Sequence, residues 1–126
     1  MKNILIAATF AMIGGAVSAD PVEGTWKTEV DDGAYAHIAM STCGPKICGK
    51  IAKAFDASGP IKTENIGKQL VWDMVPAGDG SYASGKIWQP STDKVFRSKM
   101  SLNGSTLFVS GCVGPFCKKQ TWTRVN

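Results

Sequence analysis

The sequence has few residues of the kinds that carry catalysis. It contains a single histidine, His37, and therefore lacks the histidine pair typical of catalytic zinc sites. It also lacks the G-x-S-x-G motif of serine hydrolases. We therefore predict that the protein is not an enzyme and needs no metal or cofactor. A hydrolase that uses His37 is the alternative, supported only by aspartates in turn-like segments where aspartate is a common turn former, namely Asp31, Asp32, Asp79 and Asp93.

Long apolar runs are scarce, and the run at residues 4–17 is too short to cross a membrane. Lys2 precedes it and Val17-Ser18-Ala19 follows it, which is the pattern of a secretory signal peptide with a small-residue cleavage site. We predict a signal peptide at residues 1–19 and a single mature domain at residues 20–126, exported to the periplasm. Secretion beyond the cell and an uncleaved membrane anchor are the alternatives.

Runs of basic residues are absent, and so are basic stripes with interleaved aromatic residues, at a formal net charge of +4 at pH 7. Nucleic acid is therefore not an expected partner. A charge of this size fits weak attraction to anionic surfaces, and it equally serves solubility.

All the cysteines lie in the predicted mature domain: Cys43, Cys48, Cys112 and Cys117. An even number in an exported chain of this size indicates two disulfides, for which three connectivities exist. Both C-x4-C segments contain Gly-Pro between strand-like runs, so a turn would bring the cysteines of each segment together. We predict the pairs Cys43–Cys48 and Cys112–Cys117. The alternatives are a four-cysteine zinc site and a thioredoxin-type redox site, both of which normally use C-x2-C spacing.

No window shows a sustained helical period, and short strand-like runs recur between Gly, Pro, Asn and Asp. The predicted strands cover residues 24–30, 34–41, 47–55, 69–75, 82–89, 94–102, 105–112 and 117–125, with Ile47, Ile51 and Phe55 sharing one face. Residues 56–68 are expected to form a long loop. Because an open meander would leave two exposed edges, we predict an all-β, eight-stranded antiparallel up-and-down barrel, with a two-sheet sandwich as the alternative.

Two motifs at the ends of the predicted barrel support its closure. Gly24-Thr25-Trp26 opens the first strand, and Arg124 lies on the last. These strands are neighbours in a closed meander, so we expect the Arg124 guanidinium over the Trp26 indole. The arrangement resembles the G-x-W motif and late arginine of lipocalins and their calycin relatives, which implies a ligand-binding barrel. The other interpretation is that both residues simply plug the closed end.

A second resemblance covers nearly the whole predicted mature domain. Its segments resemble the bacterial exported family described as domain of unknown function 2147: Gly24-Thr25-Trp26, residues 43–51, Gly85-Lys86-Ile87-Trp88-Gln89-Pro90, and residues 111–124 with Gln120-Thr121-Trp122-Thr123-Arg124. The resemblance implies a lipocalin-like barrel and an envelope location, and it implies no activity. Trp88 stands where this family usually has tyrosine. This difference changes the hydrogen-bonding group at the end of the side chain more than it changes the packing of the ring.

Polar residues are predicted inside the barrel beside aromatic ones, because Gln120, Trp122 and Arg124 share one strand face. Buried polar groups need partners, which a small ligand, an internal network or bound water would supply. We predict the ligand-binding residues Trp26, Trp88, Gln120, Trp122 and Arg124, with Arg124 as a clamp for an anion. The predicted function is a periplasmic module that binds a small apolar or amphipathic molecule. The alternative is an envelope structural or protein-interaction domain with a filled barrel and no ligand.

Overall fold

A computed structural model describes residues 19–126, so the predicted signal peptide, apart from Ala19, lies outside the described residues. Residues 19–126 form nine strands: β1 Gly24–Lys27, β2 Ala34–Cys43, β3 Lys46–Asp56, β4 Gly59–Ile61, β5 Gln69–Gly78, β6 Ser81–Gln89, β7 Lys94–Asn103, β8 Thr106–Val113 and β9 Phe116–Arg124. Over the same residues, no helix has the length and apolar character needed to cross a bilayer.

The strands form one antiparallel sheet that closes on itself. Neighbours follow the order β1-β2-β3-β5-β6-β7-β8-β9, and β1 completes the ring because it pairs with both β2 and β9. Trp26 lies at this junction, opposite Ile38 of β2 and Arg124 of β9. The predicted eight-stranded barrel is therefore confirmed, with β4 added beside the end of β3.

Because neighbouring strands alternate in direction, their connections gather at two ends of the barrel. The closed end holds the start of β1, the β2–β3, β5–β6 and β7–β8 hairpins, and the C-terminus. The loop end holds residues 28–33, 56–68 and 90–93 and the β8–β9 hairpin. The predicted disulfides are confirmed, one at each end: Cys43–Cys48 joins Cα atoms 5.9 Å apart and Cys112–Cys117 joins Cα atoms 4.0 Å apart.

The prediction of one long loop at residues 56–68 is wrong, because β4 lies within this segment. β4 pairs with the end of β3 and places Pro60 opposite Phe55. Proline has no N–H to donate and is confined to strand edges, which suits this position and hides the strand from sequence patterns. The rest of the segment is tied to β3, since Gly67 N donates to the Ile51 carbonyl and Ile51 N donates to the Lys68 carbonyl.

The first strand ends at Lys27, earlier than the predicted residue 30. Thr28 N still donates to the Ala36 carbonyl, but the Ala36 N–H donates to the Thr28 hydroxyl, at 3.0 Å, instead of to a backbone carbonyl. Residues 28–33 then form the turn into β2.

A bulge in β3 reverses the predicted facing of Phe55. The register with β2 shifts between His37 and Ile38, so Ile51 lies opposite Ile38 while Phe55 lies opposite Tyr35. Phe55 stacks on the Tyr35 ring, with centroids 4.8 Å apart, on the outer face of the barrel. One extra residue in a strand moves every later side chain to the other face, which strict alternation does not anticipate.

Side chains fill the interior of the barrel. The rings of Trp26 and Trp122 are completely buried. Gly85 lies against this core. A Cβ at this position would be closer to the Met74 sulfur than van der Waals contact allows, and it would lie 2.9 Å from the Trp72 carbonyl oxygen. The buried core cluster consists of Val22, Trp26, Ile38, Met40, Ile47, Ile51, Leu70, Val71, Met74, Tyr82, Ile87, Met100, Leu107, Val109 and Trp122.

Candidate ligand-binding site

Two of the predicted ligand residues, Trp26 and Arg124, lie at the closed end under the segment that precedes β1. The Arg124 guanidinium lies 4.3 Å from the centroid of the Trp26 ring, as ring closure predicts. Arg124 also donates to the carbonyls of Glu23 and Pro21, at 3.0 and 2.7 Å. Trp26 Nε1 donates to the Val22 carbonyl at 2.9 Å. Arg124 thus ties the last strand to the segment that covers this end.

Tyr82 adds a second tie to the same segment. Its hydroxyl donates to Asp20 Oδ1 at 2.5 Å, and the ring itself is buried. Burial, followed by the hydrogen bond to Asp20, raises the pKa of Tyr82. The phenol therefore stays protonated, as its donor role requires.

Gln120 and Trp122 precede Arg124 on β9 and lie on the inner face. Trp122 Nε1 donates to Gln120 Oε1 at 2.6 Å. The indole is completely buried and the amide is half-buried, opposite Val109 of β8. The partner of this indole N–H is therefore supplied from within the chain.

Trp88 lies on the outer wall, away from the other four predicted residues. Side chains alternate along β6, so Ile87 faces the core and Trp88 lies on the opposite face, across from Val95 of β7; the half-buried Trp88 ring also packs against the core. Trp88 Nε1 donates to Asp93 Oδ1 at 2.9 Å, and Asp93 belongs to the β6–β7 turn. This bond fixes the orientation of the indole.

A groove of about 330 Å³ lies beside this indole, and we call it the outer groove. Trp72 of β5 and Trp88 of β6 supply its aromatic side chains, and both are half-buried. Lys68, Gln69, Asp93 and Val95 complete the lining. Lys68 Nζ lies 5.6 Å from the centroid of the Trp88 ring, so a cation stands beside the apolar surface. Trp72 and Lys68 were not among the predicted site residues.

A second groove, of about 340 Å³, lies between β3 and the segment that follows β4. Its lining is aliphatic and basic, without an aromatic side chain: Ala52, Lys53, Ala54, Pro60, Ile61, Lys62, Thr63 and Ile66. It offers less flat apolar area for a ligand than the outer groove does.

His37 lies in an aromatic cluster on the outer face. Its ring centroid is 4.6 Å from that of Phe55 and 6.4 Å from that of Tyr35. Burial, then the charges of Lys53 and Lys27, lowers the pKa of His37 below its ordinary value of 6.5. Among residues 19–126, no three His, Cys, Asp or Glu side chains are grouped so that they could hold a metal ion.

The barrel is similar to known proteins in sequence and in fold. The family model described as "Uncharacterized protein conserved in bacteria (DUF2147)" matches residues 24–124. Among solved structures, the chain is similar to protein HP1028 from the human pathogen Helicobacter pylori, which belongs to the lipocalin family. That match has a TM-score of 0.65 and 15% sequence identity, and it covers 86% of this chain and 85% of the other. No curated protein matches the sequence.

Proposed function

Because the chain belongs to the bacterial DUF2147 family and folds as a lipocalin-like barrel, we propose that it is a periplasmic binding protein for a small amphipathic molecule. The outer groove is the proposed ligand site. The ligand has a flat apolar body and an anionic head. This is a binding function, and no reaction step is part of it.

The observation that carries the proposal is the pair of half-buried indoles, Trp72 and Trp88, in one groove. Indole rings supply large apolar surfaces with few rotatable bonds, so they lose little entropy when a ligand binds. The Trp88 ring is already oriented by its bond to Asp93. Lys68 stands next to that ring and would pair with an anionic head group.

The packed interior supports a site on the outer wall. A ligand inside the barrel would have to displace buried side chains such as Trp26 and Trp122. Of the five predicted ligand residues, Trp88 is therefore retained as a ligand contact. We assign Trp26, Trp122, Gln120 and Arg124 to filling and closing the barrel.

A titration with the fluorescent probe 1-anilinonaphthalene-8-sulfonate tests the proposal, because this probe joins an aromatic body to an anion. We expect saturable binding that weakens about ten-fold in Trp88→Ala and in Trp72→Ala, as typical for loss of one stacking surface. Tyr35→Ala is the matched control, since Tyr35 is also half-buried on the outer face. Equal losses in Tyr35→Ala and Trp88→Ala would refute the assignment of the groove.

The role of Lys68 has a separate test. Lys68→Gln should weaken the anionic probe several-fold and leave the uncharged probe N-phenyl-1-naphthylamine unchanged. Lys53→Gln, on β3 and not among the residues that line the outer groove, removes the same charge and should change neither. If Lys68→Gln and Lys53→Gln weaken the anionic probe equally, Lys68 does not hold the head group.

The filled interior also favours a second function, an interaction domain of the envelope without a small ligand. The probe titration separates the two functions. Probe binding that does not saturate, or that is unchanged in both Trp72→Ala and Trp88→Ala, would favour the interaction domain.

A further inference from the structure

The tip of the β8–β9 hairpin exposes two large apolar side chains. Val113 is 65% exposed and Phe116 is 79% exposed, and the two are paired across the hairpin. Large apolar side chains this exposed are costly in water and often mark a contact surface.

This tip is held rigidly away from the barrel. Cys112 and Cys117 form a disulfide directly behind the exposed pair. Gly114, with a φ of 57°, makes the tight turn. Arg97 of β7 donates to the Gly114 carbonyl and braces the turn from the side. The apolar pair therefore cannot fold back onto the barrel.

The wall behind the tip is basic. Residues 94–126 contain no Asp or Glu, and their basic residues are Lys94, Arg97, Lys99, Lys118, Lys119 and Arg124. Arg97 lies opposite Cys112, and Lys118 and Lys119 directly follow the disulfide on β9. Lys99 and Lys119 both lie opposite Ser110 of β8, so they share the outer face with Arg97, whereas Lys118 lies opposite Gly111 on the inner face. We call Arg97, Lys99 and Lys119 the basic wall.

The acidic residues of the loop end lie on the other connections: Glu29, Asp31 and Asp32 in residues 28–33, Asp56 and Glu64 in residues 56–68, and Asp93 in residues 90–93. Glu29 accepts a hydrogen bond from the Thr121 N–H. Asp31 accepts from the side chains of Gln89 and Ser91. These bonds hold Glu29 and Asp31 against the barrel. Strands β7–β9 carry no acidic residue, so they are the strands that would face a negatively charged surface.

We propose that the tip and the basic wall dock on the surface of an anionic phospholipid bilayer. Val113 and Phe116 enter the boundary between head groups and acyl chains, and the basic wall meets lipid phosphates. A narrow convex tip with two apolar residues buries far less area than the roughly 1,000 Å² that a stable protein interface needs. A bilayer takes up such a tip without a complementary pocket. The groove residues are not part of this surface.

Co-sedimentation of the mature protein with vesicles tests the proposal. We expect binding to vesicles in which about a third of the lipid is phosphatidylglycerol, weak binding to pure phosphatidylcholine vesicles, and release by high salt. Phe116→Ser should lower the partition coefficient about ten-fold, because its ring supplies most of the buried apolar area. Absence of binding to the anionic vesicles would overturn the proposal, and so would equal binding to both kinds.

Matched variants test the location of the contact. Val113→Ser should weaken binding, while Val125→Ser at the closed end, which removes an apolar side chain that is 44% exposed, should not. Lys99→Gln with Lys119→Gln should weaken binding about five-fold for each lysine. Lys46→Gln with Lys50→Gln makes the same charge change on β3 and should have a much smaller effect. If the two double variants lose binding equally, net charge and not the basic wall is responsible, and the assignment is wrong.

Discussion

A single added methyl group measures how tightly the barrel is filled. Gly85 of β6 does not have a positive φ, so alanine there does not meet the strain of a left-handed backbone. The new Cβ would overlap the Met74 sulfur and lie 2.9 Å from both Met74 Cγ and the Trp72 carbonyl oxygen. Met74 is completely buried and has no solvent-exposed space to move into. The carbonyl is part of the β5 backbone, so it cannot move without displacing that strand.

The expected cost follows from this geometry. Inserting a methyl group into a well-packed core destabilises proteins by about 1–3 kcal/mol. For a domain of this size, each kcal/mol lowers the melting temperature by about 4–8 °C. Gly111→Ala is the matched control, because its Cβ would meet Ile87 and Phe96 at ordinary contact distances of 3.5 Å and more. This control should be neutral or stabilising by up to about 1 kcal/mol.

Chemical denaturation of the mature, oxidised protein gives both free energies of unfolding. The combination of Gly85→Ala with Met74→Ala should cost less than the sum of the single changes, because truncating Met74 makes room for the methyl group. A Gly85→Ala protein as stable as the Gly111→Ala protein would refute the reasoning. It would mean that the core has free volume next to Met74 and that the barrel is not filled.

Three further predictions concern stability. Arg124→Ala should lower the free energy of unfolding by about 1.5–3 kcal/mol, because the charged hydrogen bonds from its guanidinium to two carbonyls at the closed end are lost. Arg124→Lys should restore little of this stability. If the lysine variant is as stable as the parent, the hydrogen bonds to two carbonyls are not what stabilises the closed end. The pKa of His37 lies below 6.5 in the folded protein, so the unfolded chain binds the proton more readily. Stability relative to His37→Gln should therefore fall as pH drops below 6.5 and level off below the folded pKa, and a difference independent of pH would exclude this linkage. Replacing Cys112 and Cys117 together with serine should cost about 2 kcal/mol by the loop-entropy argument, and a denaturation midpoint unchanged from the parent would show that the pair contributes nothing.

Most of the barrel could be predicted because the residues that determine each strand and turn are close together in the sequence. Turn residues separate the strands, and Gly-Pro between paired cysteines predicts a disulfide at each hairpin. The contact of Arg124 with Trp26 could be predicted because it follows from ring closure alone. The position of β4 could not, since Pro60 lacks the residue preferences of a strand and pairs only because β3 offers a free edge. The outward facing of Phe55 depends on a bulge, which is a property of the β2–β3 register and not of either segment.

The candidate site was less predictable than the fold. The sequence pattern identified Trp88 but offered no reason to place it outside the barrel. The signal for Trp72 was present, because a tight turn joins the strands of Trp72 and Trp88, so both tryptophans extend from one hairpin. Lys68 could not be found this way. Its position beside Trp88 depends on the backbone bonds that tie residues 67 and 68 to Ile51, which are long-range contacts.

The location of the ligand, inside the barrel or on its outer wall, has an experimental consequence at Leu107. This side chain is completely buried on β8, opposite Trp122 and Leu102, at the other end of β7 from the groove residue Val95. Leu107→Ala should cost about 2–5 kcal/mol and leave a cavity in the core. If the ligand binds in the outer groove, this cavity leaves the Kd for 1-anilinonaphthalene-8-sulfonate unchanged at temperatures where the variant is folded, while Trp88→Ala weakens binding. If Leu107→Ala changes the Kd and Trp88→Ala does not, the ligand binds inside, and the outer groove is only a surface feature of the β5–β6 hairpin.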